Sequence, residues 1–138
     1  MLPLRWARGW RVASATLLVL VLAAGVAPAV WLWPDRGSML SLLSHFDKWA
    51  HALTFTVLAL WFCGQYTRSA YWRIALGLVV YGIVIELAQR LVGYRTADPF
   101  DVVANISGIA LGLTIGLLGA GGWSQIVERR FARQRELD

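Results

Sequence analysis

Nine polar side chains in this sequence have the types and spacing from which a site can be built. They are Asp47, Lys48 and His51; Glu86 and Gln89; and Arg95, Asp98, Asp101 and Asn105. An imidazole changes protonation near neutral pH, so His51, oriented by Asp47 or Glu86, could act as general base or acid. That makes His51, Glu86 and Asp47 the catalytic candidates. Lys48 and Arg95 could hold a phosphate or carboxylate. Asp98 and Asp101, together with His51, are candidate ligands for a divalent cation. Helical spacing groups the residues further. Asp47 and His51 are four apart and share a face, as do Glu86, Gln89 and Gly82, and as do Asp101, Asn105 and Gly108.

Each residue also has a plainer reading. Asp47 and Asp98 could be helix N-caps. Gln89 and Asn105 could be interhelical hydrogen-bonding amides. Lys48, Arg90 and Arg95 could contact lipid headgroups, which is the stronger reading for Arg90. Glu86 resists a plain explanation, because a carboxylate inside an apolar run is costly without a partner. No nucleophile or metal motif completes a catalytic constellation.

The surroundings of these residues define what must position them. The chain is 58% hydrophobic and only 15% charged, with mean hydropathy +0.57. A water-facing surface on one domain of this size needs more charge. Eight Trp and four Tyr are of the type that gathers where helices leave hydrocarbon. Apolar runs predict membrane helices at about 12–33, 46–66, 71–92 and 100–123, with a polar tail at 125–138 that is an interfacial helix or a frayed end. A bilayer core needs about 20 such residues. Residues 1–138 read as a single all-α domain, a bundle of four transmembrane helices. Arg5, Arg8 and Arg11 before the first run, with Ala27-Pro28-Ala29 after it, also resemble a signal peptide. Trp31, Leu32 and Trp33 continue the run past that point and favour an uncleaved helix.

Basic residues set the orientation. Arg5, Arg8, Arg11, Arg68, Arg73, Arg129, Arg130, Arg133 and Arg135 fall on one side. Arg36, Lys48, Arg90 and Arg95 fall on the other, mixed with acids. The first side, which carries both termini, is expected to be cytoplasmic, and the chain to be a multi-pass protein of a bacterial cytoplasmic membrane. The net charge of +5 is then explained by topology and anionic headgroups, not nucleic acid. This topology places the nine polar residues together at the extracytoplasmic ends of their helices. Ser44-x-x-Asp47 resembles a capping box, and Asp98-Pro99 a cap followed by a first-turn Pro. Gly108, Gly112 and Gly116 form a stripe that admits close helix packing. It continues the face of Asp101 and Asn105, which should therefore point inward. Cys63 has no cysteine partner in the chain.

The ordered set Asp47-Lys48-x-x-His51, Glu86-x-x-Gln89, Arg95 with Asp98, and Asp101-x-x-x-Asn105-x-x-Gly108 resembles the VanZ-like family of small bacterial membrane proteins over residues 40–120. The resemblance implies a membrane-helix architecture and, from the trait that named the family, a cell-envelope or glycopeptide-antibiotic-resistance role. It implies no reaction and no cofactor. Three readings of the pocket formed by Asp47, His51, Glu86, Gln89, Arg95, Asp98, Asp101 and Asn105 follow. The favoured one binds an anionic lipid-linked envelope component or a glycopeptide antibiotic. The second is acid/base or metal-assisted chemistry on a lipid-linked precursor. The third is a proton-coupled carrier, which a site near one surface disfavours.

Overall fold

A computed structural model of the chain describes residues 1–27, 40–92 and 99–135, with side chains for 1–27, 48–92 and 100–134. The elements are α1 (Ala7–Val26), α2 (Leu40–Gln65), a short 3-10 turn (Arg68–Ala70), α3 (Tyr71–Leu91), α4 (Pro99–Ile115), a π-type turn (Gly116–Ala120) and α5 (Trp123–Arg135). No strand occurs among the described residues. Among the described residues, three segments are long and apolar enough to cross a membrane: Ala7–Val26, Arg68–Leu91 and Phe100–Ala120. Helix α2 has 26 residues, or about 39 Å of helix at 1.5 Å per residue.

The bundle is inverted relative to a water-soluble one. Large apolar side chains line its outside: Trp49, Leu53 and Val57 on α2, Leu76, Val80 and Leu87 on α3, Val103, Ile106 and Leu111 on α4. Polar side chains lie inside, among them Gln65, Glu86, Gln89, Asp101 and Asn105. Water would penalise such a surface, whereas hydrocarbon solvates it. The protein is a helical membrane protein.

The tightest contact is between α2 and α4. A Cβ placed on Gly108 would strike the Ala52 carbonyl, and one on Gly112 would lie 2.6 Å from both Ala59 Cβ and Thr56 O. At Gly116 it would meet Cys63 Sγ at 2.8 Å. The expected glycine stripe thus faces a second row of small residues on α2. The Thr56 hydroxyl lies 2.8 Å from Ala52 O and 3.1 Å from Gly108 O, so its single proton is shared between the helices. The pairings 52 with 108, 59 with 112 and 63 with 116 run in one direction, so α2 and α4 are parallel. Tyr71 near Gly116 and Gly82 near Asn105 make α3 antiparallel to both. The Tyr81 hydroxyl donates to Leu18 O, and Gln89 Nε2 donates to Gly25 O at 2.9 Å. Those contacts make α1 parallel to α3.

Helix boundaries differ from the sequence expectation in three places. Among the described residues the first helix runs from Ala7 to Val26; residues 28–33 of the expected span lie outside the described residues. Ala27 is extended, with ψ 138. The next residue is Pro28, whose ring disfavours helical geometry at the residue before it. The second helix begins at Leu40, so Ser44 and Asp47 lie within it and do not cap its start. Leu40, Leu42 and Leu43 are good helix formers and extend it backward. The fourth helix ends early. Gly119 has φ 141 and Gly122 φ 75, left-handed values that glycine adopts without a steric penalty.

That break turns the chain into α5, which docks as a regular helix rather than fraying. Gly122 N–H donates to Cys63 O at 3.0 Å, Trp123 Nε1 to Leu60 O at 3.1 Å, and the Ser124 hydroxyl to Gly64 O. Trp10, Trp61 and Trp123 form a triangle with ring centroids 5.4–5.6 Å apart. Glu128 closes the end: its carboxylate accepts from Arg5 N at 2.8 Å and from Trp6 N and Trp10 Nε1 at 2.9 Å each. It satisfies backbone donors that the start of α1 would otherwise leave open. Both terminal segments therefore lie at one end of the bundle. Burial pushes the Glu128 carboxyl up. The hydrogen bonds from Trp6, Arg5 and Trp10, with the Arg5 charge, outweigh it and hold the group below its ordinary value of 4.5.

Two outcomes test this description. Gly112→Leu forces α4 away from α2 and costs at least about 3 kcal/mol, the upper end of overpacking penalties. Gly77→Ala, where a Cβ meets nothing within 4 Å, leaves the melting temperature in detergent unchanged. Equal melting of both variants and the parent would contradict the packing. The Glu128 contribution is present above the ordinary carboxylate value and is lost as pH falls through the depressed folded value. Glu128→Gln therefore melts below the parent at neutral pH, and the gap closes at acid pH. A gap independent of pH would show that the charge is immaterial.

Candidate functional site

At the opposite end of the bundle from Glu128, three helices bring chemistry together. His51 lies three turns into α2, Glu86 in the last two turns of α3, and Asp101 in the first turn of α4, with Asn105 one turn later. The α2–α4 register sets the height of His51 against Asp101 and Asn105, since Ala52 meets Gly108 on the same faces. Glu86 reaches the same level because Gly82, one turn before it, lets α3 approach: a Cβ there would lie 3.0 Å from Asn105 Nδ2 and 3.2 Å from the Phe55 ring.

The geometry is compact. His51 Nδ1 is 3.1 Å from Asn105 Oδ1. His51 Nε2 is 4.0 Å from Asp101 Oδ2, with the two side chains 10% and 8% exposed. One nitrogen of His51 and one oxygen each of Glu86 and Asp101 all lie within 4.8 Å of one another. Glu86 is 5% exposed and Asn105 2%. An amide oxygen can only accept, so this bond places a proton on His51 Nδ1 and turns Nε2 toward the carboxylates.

Beside the cluster lies a cavity of about 260 Å³ lined by Val21, Ala24, Gly25, Ala50, His51, Thr54, Phe55 and Ile85. It is apolar apart from Thr54 and His51, and it is an open groove lined by α1, α2 and α3. Lys48 extends over the Phe100 ring, with Nζ 5.5 Å from its centroid. This places a cation near the start of α4. A further cavity of about 350 Å³, lined by residues such as Phe62, Tyr66, Arg73 and Tyr81, lies toward the Glu128 end and holds no acid.

The sequence-derived residues are thus placed unequally. His51, Glu86, Asp101 and Asn105 meet. Lys48 stands nearby. Gln89 shares their depth but its amide braces α1 through Gly25 O. The side chains of Asp47, Arg95 and Asp98 lie outside the described residues, so the expected pairing of Asp98 with Asp101 does too. The carboxylate that joins Asp101 and His51 is Glu86, which sequence spacing did not assign to a cation. Sequence reasoning also missed the groove. Its only local signal is Gly25, a small residue that admits Ile85 closely, with a Cβ there lying 3.2 Å from it. The polar fastening at the far end was missed as well, although Glu128 stands out as an acid amid the arginines of the tail.

An apolar-faced helix bundle with a buried His–carboxylate cluster marks a small helical membrane protein. The model of the VanZ/LLP1 family matches residues 19–119, and the chain belongs to that family. The matched region contains every residue of the cluster. No curated protein and no solved structure matches the chain.

Proposed function

We propose that residues 1–138 form one domain that crosses a bacterial cytoplasmic membrane four times with both ends in the cytoplasm. We further propose that the His51 cluster is an outward-facing pocket for an anionic, lipid-linked component of the cell envelope. The alternating helix directions, the length of α2 and the shared end of the two termini support the four spans. The positive-inside bias of the arginines supports the orientation. One observation carries the ligand: an apolar groove between α1 and α2 ends on His51. A polyisoprenyl or acyl chain suits such a groove, and its headgroup would then reach the polar cluster. A water-soluble glycopeptide would have no use for it, so the lipid-linked ligand is favoured over the antibiotic. Lys48, joined by Arg95 on sequence grounds, supplies positive charge for the phosphate. Among the family's envelope and resistance associations, an accessory role in handling such lipids fits best.

The catalytic reading keeps one specific support. Asn105 orients His51 as a histidine base is oriented in proton-transfer sites, with Nε2 presented toward the carboxylates. It becomes the better account if the bound lipid is turned over.

For topology, a reporter active only outside the cytoplasm works when fused near Arg36 or Thr96 and is silent at Asp138. Activity at Asp138 would overturn the orientation. For the ligand, purified protein in nanodiscs retains a polyprenyl phosphate over the corresponding polyprenol in native mass spectrometry. His51→Gln and Lys48→Gln each weaken that retention about tenfold, the equivalent of 1.4 kcal/mol, without changing the melting temperature. Equal retention of phosphate and alcohol would sink the proposal.

A further inference from the structure

A site made of two carboxylates and an imidazole is a poor host for an anion by itself. His51 offers Nε2, and Glu86 and Asp101 each offer a carboxylate oxygen, all within 4.8 Å of one another. Each comes from a different helix, so no single helix face explains their convergence.

We infer that His51 Nε2, Glu86 and Asp101 form a three-ligand site for a divalent transition-metal ion, zinc or manganese, whose remaining coordination positions take the phosphate oxygens of the lipid headgroup. The inference rests on the ligand-pocket reading for its phosphate half only. The ligand set is one nitrogen and two carboxylates, which suits ions of intermediate hardness. Three protein ligands with an open position is the arrangement of reactive rather than structural zinc sites. Zinc–ligand distances of about 2.0–2.2 Å hold tetrahedral ligands about 3.3–3.6 Å apart. The 4.0 Å between His51 Nε2 and Asp101 Oδ2 therefore closes by less than an ångström on binding, and a pair at the 4.8 Å limit of the set by about 1.2–1.5 Å.

Two further observations belong to the same site. The ring nitrogen remote from the ion, Nδ1, is held by Asn105 Oδ1 at 3.1 Å, which is how a metal-binding histidine has its tautomer and ring plane set. The other end of that amide, Asn105 Nδ2, is buried and has no acceptor among the described residues. It leaves a buried donor beside Gly82 of α3, one turn from Glu86, for a water or ligand oxygen brought in with an ion. The groove against His51 then explains how a headgroup carried on an apolar chain reaches the open positions.

The ion is measured apart from the lipid. Detergent-purified protein, stripped with chelator, is titrated calorimetrically with ZnCl2 and separately with MnCl2, and its melting temperature is followed. One equivalent binds and raises the melting temperature. His51→Gln and Asp101→Asn each lose at least tenfold in affinity, and Asn105→Ala, which touches no ion, loses about 10–100-fold. Cobalt substitution gives a second readout: the visible absorption of bound Co2+ shifts when a short-chain polyprenyl phosphate is added, and not with the alcohol. A stripped protein that binds neither ion, or variants that bind as the parent does, would overturn the metal site. If a variant fails to fold, the parent titration and the cobalt spectrum still decide. Metal binding without a phosphate shift leaves the ion and removes the lipid. Phosphate retention that is indifferent to chelation does the reverse.

Discussion

The structure depends on how closely two backbones approach. In hydrocarbon, helices gain nothing from burying apolar side chains against each other, because lipid tails solvate them equally well; association rests on packing and interhelical hydrogen bonds. The α2–α4 contact supplies both. Gly108, Gly112 and Gly116 lie against Ala52, Thr56, Ala59 and Cys63, and the Thr56 proton is shared with Gly108 O. Such bonds contribute about 0.6 kcal/mol each within membranes. The larger effect is register. A slip of one turn, 5.4 Å, would carry His51 away from Asp101 and Asn105.

The two ends of the bundle are built differently. At the terminal end three tryptophans pack edge and face, each such pair being worth about 0.5–1.5 kcal/mol beyond area alone. Trp61 Nε1 donates to Ser14 Oγ, Leu2 N to Gln65 O, and Glu128 gathers three donors. Helices α1, α2 and α5 are tied into the network, and Tyr71, at the start of α3, touches it through Cys63 O at 3.5 Å. At the other end α1 leans on α3 through Gln89 and Tyr81 and leaves a groove against α2. The fastening at the terminal end holds the helix register, so a ligand can enter the groove beside His51 without disturbing the site.

The fold was legible in the sequence to the extent that its causes are local or periodic. Long uncharged runs can only be membrane helices or buried ones, and a glycine every fourth residue marks one packing face. The inward direction of Asp101 and Asn105 followed from that stripe. Boundaries were less legible, because they turn on single residues. Pro28 ends the first helix through its effect on Ala27, and Gly119 ends the fourth. The partner of Gly108 could not be read, since Ala52, Thr56 and Ala59 carry no distinctive mark until α2 and α4 are known to be parallel. For the site, membrane depth identified which polar residues share a level, and helical spacing which share a face. Neither distinguishes Gln89, turned to α1, from Glu86, turned to His51. That choice is made by the rotation of α3, which Gly82 and Tyr81 set through contacts far apart in sequence. The docking of α5 was illegible for the same reason: its anchors are carbonyls of Leu60, Cys63 and Gly64.

The cluster is also hard to explain as scaffolding. Removing an ionised carboxylate from water costs several kcal/mol even after relaxation, and a pair of them doubles that cost before any attraction is counted. Apolar side chains of similar volume would hold α2, α3 and α4 together at less cost, and replacing buried ionic groups in that way is often neutral or stabilising. The Gly108–Gly116 contact already fixes how α2 and α4 meet, so the bundle does not require Glu86 and Asp101 for register. What these residues provide, and leucines could not, is a set of lone-pair donors brought from three helices to one depth, beside a groove lined in part by His51. Such a set suits a cation. A cation held there by three ligands, with coordination positions left open, turns an acidic pocket into one that an anionic headgroup can enter.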